Sequence, residues 1–136
     1  MYVWPSHFPP SCPPPDSVDL AGTVYRFING AAPADRDFVS SYYEREPEKD
    51  WGKEGCKARG LSVLRTWADC RVMRKAIPAL RKKRVGVAQV SAPIGLVSNT
   101  PSQSCTGHCT WWRAPKPSEV RPLFTTFDEP SEADNE

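Results

Sequence analysis

An α+β domain built on a mainly antiparallel twisted sheet, with two helices and Pro-rich arms, is the fold this sequence predicts. Three observations lead there. The chain has 136 residues, which fits a single domain. Its strand-like segments are short and rich in β-branched and aromatic residues. In the second half they follow one another without helices, which favours antiparallel pairing over βαβ units. Its 15 Pro gather toward the two ends, so a regular centre is expected between irregular arms.

Residues 1–22 read as a Pro-rich arm, carrying Trp4-Pro5, Phe8-Pro9-Pro10 and Pro13-Pro14-Pro15. Proline fixes φ and removes a donor, so this stretch suits neither a helix interior nor a central strand. Trp4 and Phe8 are expected to anchor it on the domain, which spans residues 23–128. Val24–Ile28 is the first strand, ended by Asn29-Gly30. Residues 33–44 predict a short helix near Asp35, with Phe38 and Tyr42 on one face. Residues 45–55 predict an exposed charged loop. Gly60–Leu64 is a second strand. Thr66 then predicts an N-cap for a helix whose apolar residues Trp67, Cys70, Met73, Ile77 and Leu80 recur at helical spacing until Pro78 ends it. Val85–Val90, Leu96–Ser98, His108–Trp112 and Leu123–Phe127 complete the strands.

Net charge is only +2, but the charge is segregated. Arg71 to Arg84 holds seven basic residues and no acidic one, whereas Asp128 to Glu136 holds five acidic residues and no basic one. Residues 129–136 predict a disordered acidic tail, or one that folds back to shield the basic stretch. No apolar run reaches the roughly 18–20 residues of a membrane helix. The opening residues lack the pattern of a secretory signal. The five Cys are odd in number and uneven in spacing. Together these predict a cytoplasmic protein with reduced thiols, no disulfide and no membrane partner.

No Gly-rich phosphate loop, zinc-protease helix or nucleophile elbow is present. Cys105, His108 and Cys109 invite a zinc reading, but the spacing is not that of a usual knuckle, and successive residues of a strand point to opposite faces. No metal is expected. A Cys–His nucleophilic pair there would need a geometry that adjacency does not supply. The basic run offers a second function. Arg81, Lys82, Lys83 and Arg84 are candidate contacts to nucleic-acid phosphates or to an acidic partner. Yet the same segment carries a core face, and a solvated helix back explains its charge equally.

The most informative set is a constellation on the strands: Arg26 between Tyr25 and Phe27, Ser62 in Gly60-Leu61-Ser62-Val63, and His108 before Cys109-Thr110-Trp111-Trp112. A strand Arg is costly to bury unless an anion or carboxylate meets it. Ser62, Thr110 and His108 can hydrogen-bond a ribose or phosphate. Tyr25, Tyr42, Trp111 or Trp112 can stack a base or nicotinamide ring. The set describes a nucleotide or dinucleotide cleft, with Arg26 and His108 as the candidate catalytic pair. The structural alternatives are a salt bridge from Arg26 to Asp35, Asp37 or Glu44, a plain sheet Ser62, and a hydrogen-bonded structural His108.

Tyr25-Arg26 in a first strand, followed by the Gly60-x-Ser62-Val63 strand, resembles the opening of small bacterial ADP-ribosyltransferase-like toxin and effector domains. The likeness covers about residues 24–64, with an aromatic strand at 108–112. It implies an NAD-using transferase in which Arg26 binds the dinucleotide and the Ser62 strand supports the cleft. That family's late catalytic Glu has no clear counterpart. Only Glu119 precedes the acidic tail, and it follows Pro115 and Pro117. Two other classes remain beside this one: a nucleic-acid or acidic-partner module on residues 71–84, and an antitoxin- or immunity-type interaction module using the arm.

Overall fold

In the computed structural model, residues 2–44, 51–91 and 93–130 are described. They form the expected α+β fold with antiparallel sheets. One sheet has the order β1 (Val18–Asp19), β5 (Gly95–Asn99), β6 (Cys109–Arg113), β3 (Leu61–Val63). The other has β2 (Gly22–Ile28), β4 (Arg84–Val90), β7 (Thr125–Thr126). A bridge between Tyr25 and Leu64 joins them at one corner.

Two apolar clusters hold this arrangement. Between the sheets lie Val24, Leu61, Val63, Ala88, Val90, Val97, Trp111 and Phe124. On the far side of β2 and β4, helix α3 (Trp67–Ala76 by chain order the third helix) closes a second cluster through Cys70 and Met73, with Tyr25, Phe27 and Phe127 packed against it. Strand β2 is therefore covered on both faces. Thr66 caps α3 as its sequence predicts, its side chain accepting the Asp69 amide at 3.1 Å.

The segment 33–44 departs from one helix. It splits into a 3₁₀ turn at Asp35–Phe38 and a single turn α1 (Ser41–Glu44), with Val39 extended at the break. The buried Asp37 explains the split. Its carboxylate accepts from the amide and side chain of Asn29, each at 3.0 Å, and from the Ala34 amide at 2.8 Å, which fixes the turn and leaves no continuous helix. The segment read as loop through residue 55 instead holds a 3₁₀ turn, Gly52–Glu54, leading into α2 (Gly55–Ala58). Residues 45–50 lie outside the described residues. A fourth short helix, α4 (Pro117–Val120), precedes β7.

The expectation of five reduced thiols is corrected. Cys12 and Cys56 form a disulfide whose Cα atoms are 5.6 Å apart, tying the Pro-rich arm to α2. An odd count did not forbid one bridge. It leaves Cys70, Cys105 and Cys109 buried as thiols. The bridge also removes the support that reduced thiols gave to a reducing compartment. No helix among the described residues is long and apolar enough to cross a membrane. The arm also meets the domain through His7, whose ring stacks on Tyr42 at 4.2 Å, and through the Tyr2 hydroxyl, which accepts from the Gly95 amide at 3.2 Å, while Trp4 stacks on Phe8 within the arm itself. At the other end, Glu129 is paired with Arg74 rather than belonging to a disordered tail. Residues 131–136 of that tail lie outside the described residues.

Candidate functional site

The strand residues singled out in the sequence meet at the edge strand β3. Side-chain alternation buries Leu61 and Val63 and turns Ser62 outward. Ser62 stands opposite Thr110, and Ser98 lies opposite Thr110 from the other side. His108, two residues before Thr110, shares their face. Two glycines permit this approach. A Cβ at Gly60 would sit 2.3 Å from the Thr110 methyl, and one at Gly107 would sit 2.2 Å from the Asp69 carboxylate.

His108 Nδ1 lies 2.9 Å from the Thr100 carbonyl oxygen, and Nε2 lies 2.9 Å from Ser62 Oγ. A carbonyl only accepts, so Nδ1 carries the proton and Nε2 is the lone-pair nitrogen. The Ser62 hydroxyl therefore donates to His108. Thr100 Oγ1 also approaches Nδ1 at 3.0 Å and pairs with Thr110 Oγ1 at 2.8 Å. Arg26 joins from β2. Its Nη1 donates to the Ser62 carbonyl at 2.7 Å and its Nε to the Asp37 carbonyl at 2.6 Å. Burial pulls the guanidinium down to about 10, against the upward pull of the Asp37 and Glu44 charges. Arg26, Ser62 and His108 are thus one hydrogen-bonded chain.

The expected ring-stacking partners are elsewhere. Tyr25 faces the second cluster, edge-on to Phe127 at 5.3 Å. Trp111 is wholly buried, its indole N–H donating to the Ile94 carbonyl at 2.9 Å, and Trp112 is buried against Cys56. Thr110 is buried and engaged by Thr100. Tyr42 is stacked on His7 at 4.2 Å and covered by the Arg59 guanidinium at 4.1 Å. None of these rings offers a face to a ligand beside Arg26. Trp111 belongs to the first apolar cluster and Tyr25 packs on the second, because burying aromatic area outweighs keeping it available.

The thiols serve packing. Burial raises all three free cysteines, Cys70 to about 12, so they persist as thiols. Among the described residues no group of three or more metal-capable side chains converges. The basic run is partly neutralised. Arg74 receives Glu129 in a two-pronged contact at 2.7 and 2.9 Å, and Arg81 donates to the carbonyls of Arg74 and Lys75 at 3.2 and 2.7 Å. Asp128 and Glu129 line the same shallow groove as Arg74, Arg81, Lys83 and Arg84.

A second site has no counterpart in the sequence reading. A cleft of about 340 Å³ opens between the arm and the start of α1, lined by Trp4, Phe8, Ser40, Tyr43, Arg59 and Arg113 among others. Among the described residues two arginines line it and no carboxylate does. Arg113 donates from Nε to the Phe38 carbonyl at 3.0 Å and from Nη1 to the Pro115 carbonyl. Burial lowers its guanidinium below the ordinary value. Arg59 donates from Nη1 to the Gly55 carbonyl at 2.7 Å and from Nε to His7 Nδ1 at 3.1 Å. The Nη2 group of each has no partner among the described residues. Because His7 Nδ1 accepts, its Nε2 carries the proton and donates to the Tyr43 hydroxyl at 2.6 Å. Burial first, and Arg59 second, lower the His7 pKa. Ser40 is 3 % exposed, and its hydroxyl has no hydrogen-bond partner among the described residues.

No family model, curated protein or solved structure matches the chain. The functional reading rests on the geometry of the two sites. Nothing in sequence spacing marks Arg59 and Arg113, which come from different elements and meet only in the fold.

Proposed function

We propose that the protein binds a mononucleotide, or an anion of that size bearing an aromatic ring, in the cleft between the arm and α1. The observation that carries this is the pair Arg59 and Arg113 lining one cleft with no carboxylate beside them among the described residues. A half-buried cation without a counter-charge is favourably met by an anionic ligand. Each guanidinium is already oriented by its Nε and Nη1 bonds, so the remaining amino group is presented without further ordering. Ser40 supplies a hydroxyl that lacks a partner, and a buried unsatisfied polar group calls for one. Trp4 and the half-exposed Tyr43 supply ring faces. The volume is at the low end of ligand pockets, about 300–1,000 Å³, which favours one base with its phosphate over a full dinucleotide.

Nucleotide binding thus stands as the leading function, with its site moved from Arg26 to the two-arginine cleft. NAD transferase chemistry rests on the sequence resemblance alone. Among the described residues the cleft lining offers no catalytic carboxylate, and Glu119 receives the Lys116 amide at 3.0 Å within its own turn. The nucleic-acid reading of Arg81, Lys82, Lys83 and Arg84 is the less favoured, since Glu129 and Asp128 already share that groove.

Thermal-shift titration with AMP, ATP, NAD, adenosine and inorganic phosphate tests the proposal. A mononucleotide at about 100 times its dissociation constant stabilises by roughly 2.7 kcal/mol. Adenosine, lacking the anion, shifts the transition less. Absence of any shift with millimolar nucleotide, or an equal shift in an Arg59→Gln/Arg113→Gln protein, overturns it.

A further inference from the structure

We propose that Ser62 is a nucleophile activated by His108, giving the protein an acyl-transfer centre that cleaves accessible carboxylic esters. Three features combine here. The Ser62 hydroxyl donates to Nε2 at 2.9 Å, and the Thr100 carbonyl holds Nδ1 as the protonated nitrogen. This is the arrangement in which a base is poised on a nucleophile and is itself oriented by a third group. The Arg26 guanidinium donates to the Ser62 carbonyl at 2.7 Å and so fixes the nucleophile's own peptide group. Ser62 is exposed. An exposed hydroxyl has water as an alternative partner, so stability does not require the His108 contact, and a substrate can reach Oγ.

The chemistry balances with ester and water alone. Ser62 Oγ bonds to the ester carbonyl carbon while its proton passes to His108 Nε2. The imidazolium is held by the Thr100 carbonyl at Nδ1–H. The tetrahedral intermediate collapses, the carbon–oxygen bond to the alcohol breaks, and Nε2 returns the proton to the departing alkoxide. Water then attacks the acyl-Ser62 carbon and gives a proton to Nε2. Collapse releases the acid, and Ser62 Oγ recovers the proton. The exposed position of Ser62 on an edge strand suits small, unhindered acyl groups.

The test uses the full chain, an alkyl fluorophosphonate probe and p-nitrophenyl acetate. The expected result is one phosphonyl group per chain, mapped to Ser62, and a p-nitrophenolate burst of one equivalent. Ser62→Ala abolishes both. His108→Gln slows labelling by about 100-fold or more, the usual worth of a positioned general base. His108→Ala regains rate with added imidazole. Melting temperatures of the variants separate lost chemistry from lost folding, and the labelling of wild-type protein at Ser62 needs no variant. Absence of labelling at Ser62 in wild-type protein, or equal labelling in a folded His108→Gln protein, overturns the proposal.

Discussion

The basic run at residues 71–84 and the cleft of Arg59 and Arg113 are both cationic, and they differ in what faces the charge. The run is dense in sequence, yet its central Arg74 is paired with Glu129 and Arg81 is bound to backbone carbonyls. Among the described residues the cleft is lined by two arginines, 54 positions apart in the sequence, and by no carboxylate. Charge density along a chain therefore says little about charge available to a ligand. Uncompensated charge in a partly buried place says more, because the field there is less screened.

The sharpest way to break the cleft is to release its wall. The Cys12–Cys56 bridge spans a sequence separation of 44, for which chain entropy predicts about 4 kcal/mol of stabilisation. A Cys12→Ser/Cys56→Ser protein is expected to lose stability of that order in urea. Its nucleotide shift should fall by more than that of Arg74→Gln, since the arm carries Trp4 and Phe8. Unchanged nucleotide affinity in the reduced protein would separate the arm from the site.

Next in size is Arg26→Ala. It strands the part-buried Asp37 carbonyl and leaves the Ser62 carbonyl to water, a loss of about 1–3 kcal/mol. Arg26→Lys keeps the charge but not the two-directional fork, so it recovers only part. A smaller effect is expected from Ser40→Ala. Removing a hydroxyl that has no partner leaves stability within about 0.5 kcal/mol, while nucleotide affinity falls by about 0.5–1.5 kcal/mol if the ligand bonds to it. Calorimetry on the pair of proteins distinguishes the two readouts.

The smallest expected effect is a pH dependence. His7 is neutral in the fold, accepting from Arg59 and donating to Tyr43. Burial and Arg59 place its folded pKa below the ordinary 6.5. Between that lowered value and 6.5 the unfolded chain binds more protons, so stability is lost as the pH falls through this window and the loss levels off below it. Denaturation midpoints of wild-type and His7→Gln proteins should converge in their pH slope above 6.5 and diverge beneath it. Parallel slopes throughout would remove His7 from the cause.

Much of the fold was legible. Thr66 as cap, the helical spacing from Trp67 to Met73 and the β-branched runs at Val24–Ile28 and Val85–Val90 are local signals, and local energetics suffice to produce those elements. The division of residues 33–44 was not legible. It depends on Asp37 reaching Asn29 from a different element.

For function, the sequence determined which groups were capable of chemistry: Arg26, Ser62 and His108 were visible because polar residues in apolar strands stand out. Only the tertiary structure decided their roles. Strand register set Ser62 opposite Thr110, brought His108 onto the same face and aimed Nε2 at the hydroxyl. Packing on both sides of β2 bound Arg26 to carbonyls, and the core took the ring of Trp111. The arginine cleft belongs wholly to the fold. Arg59 and Arg113 share no periodicity, and the disulfide that braces the arm beside them needs two cysteines whose approach no spacing specifies. Hydrogen bonds and charges act over a few ångströms in space, whereas the sequence orders residues along a line, so proximity of distant segments is information that folding supplies.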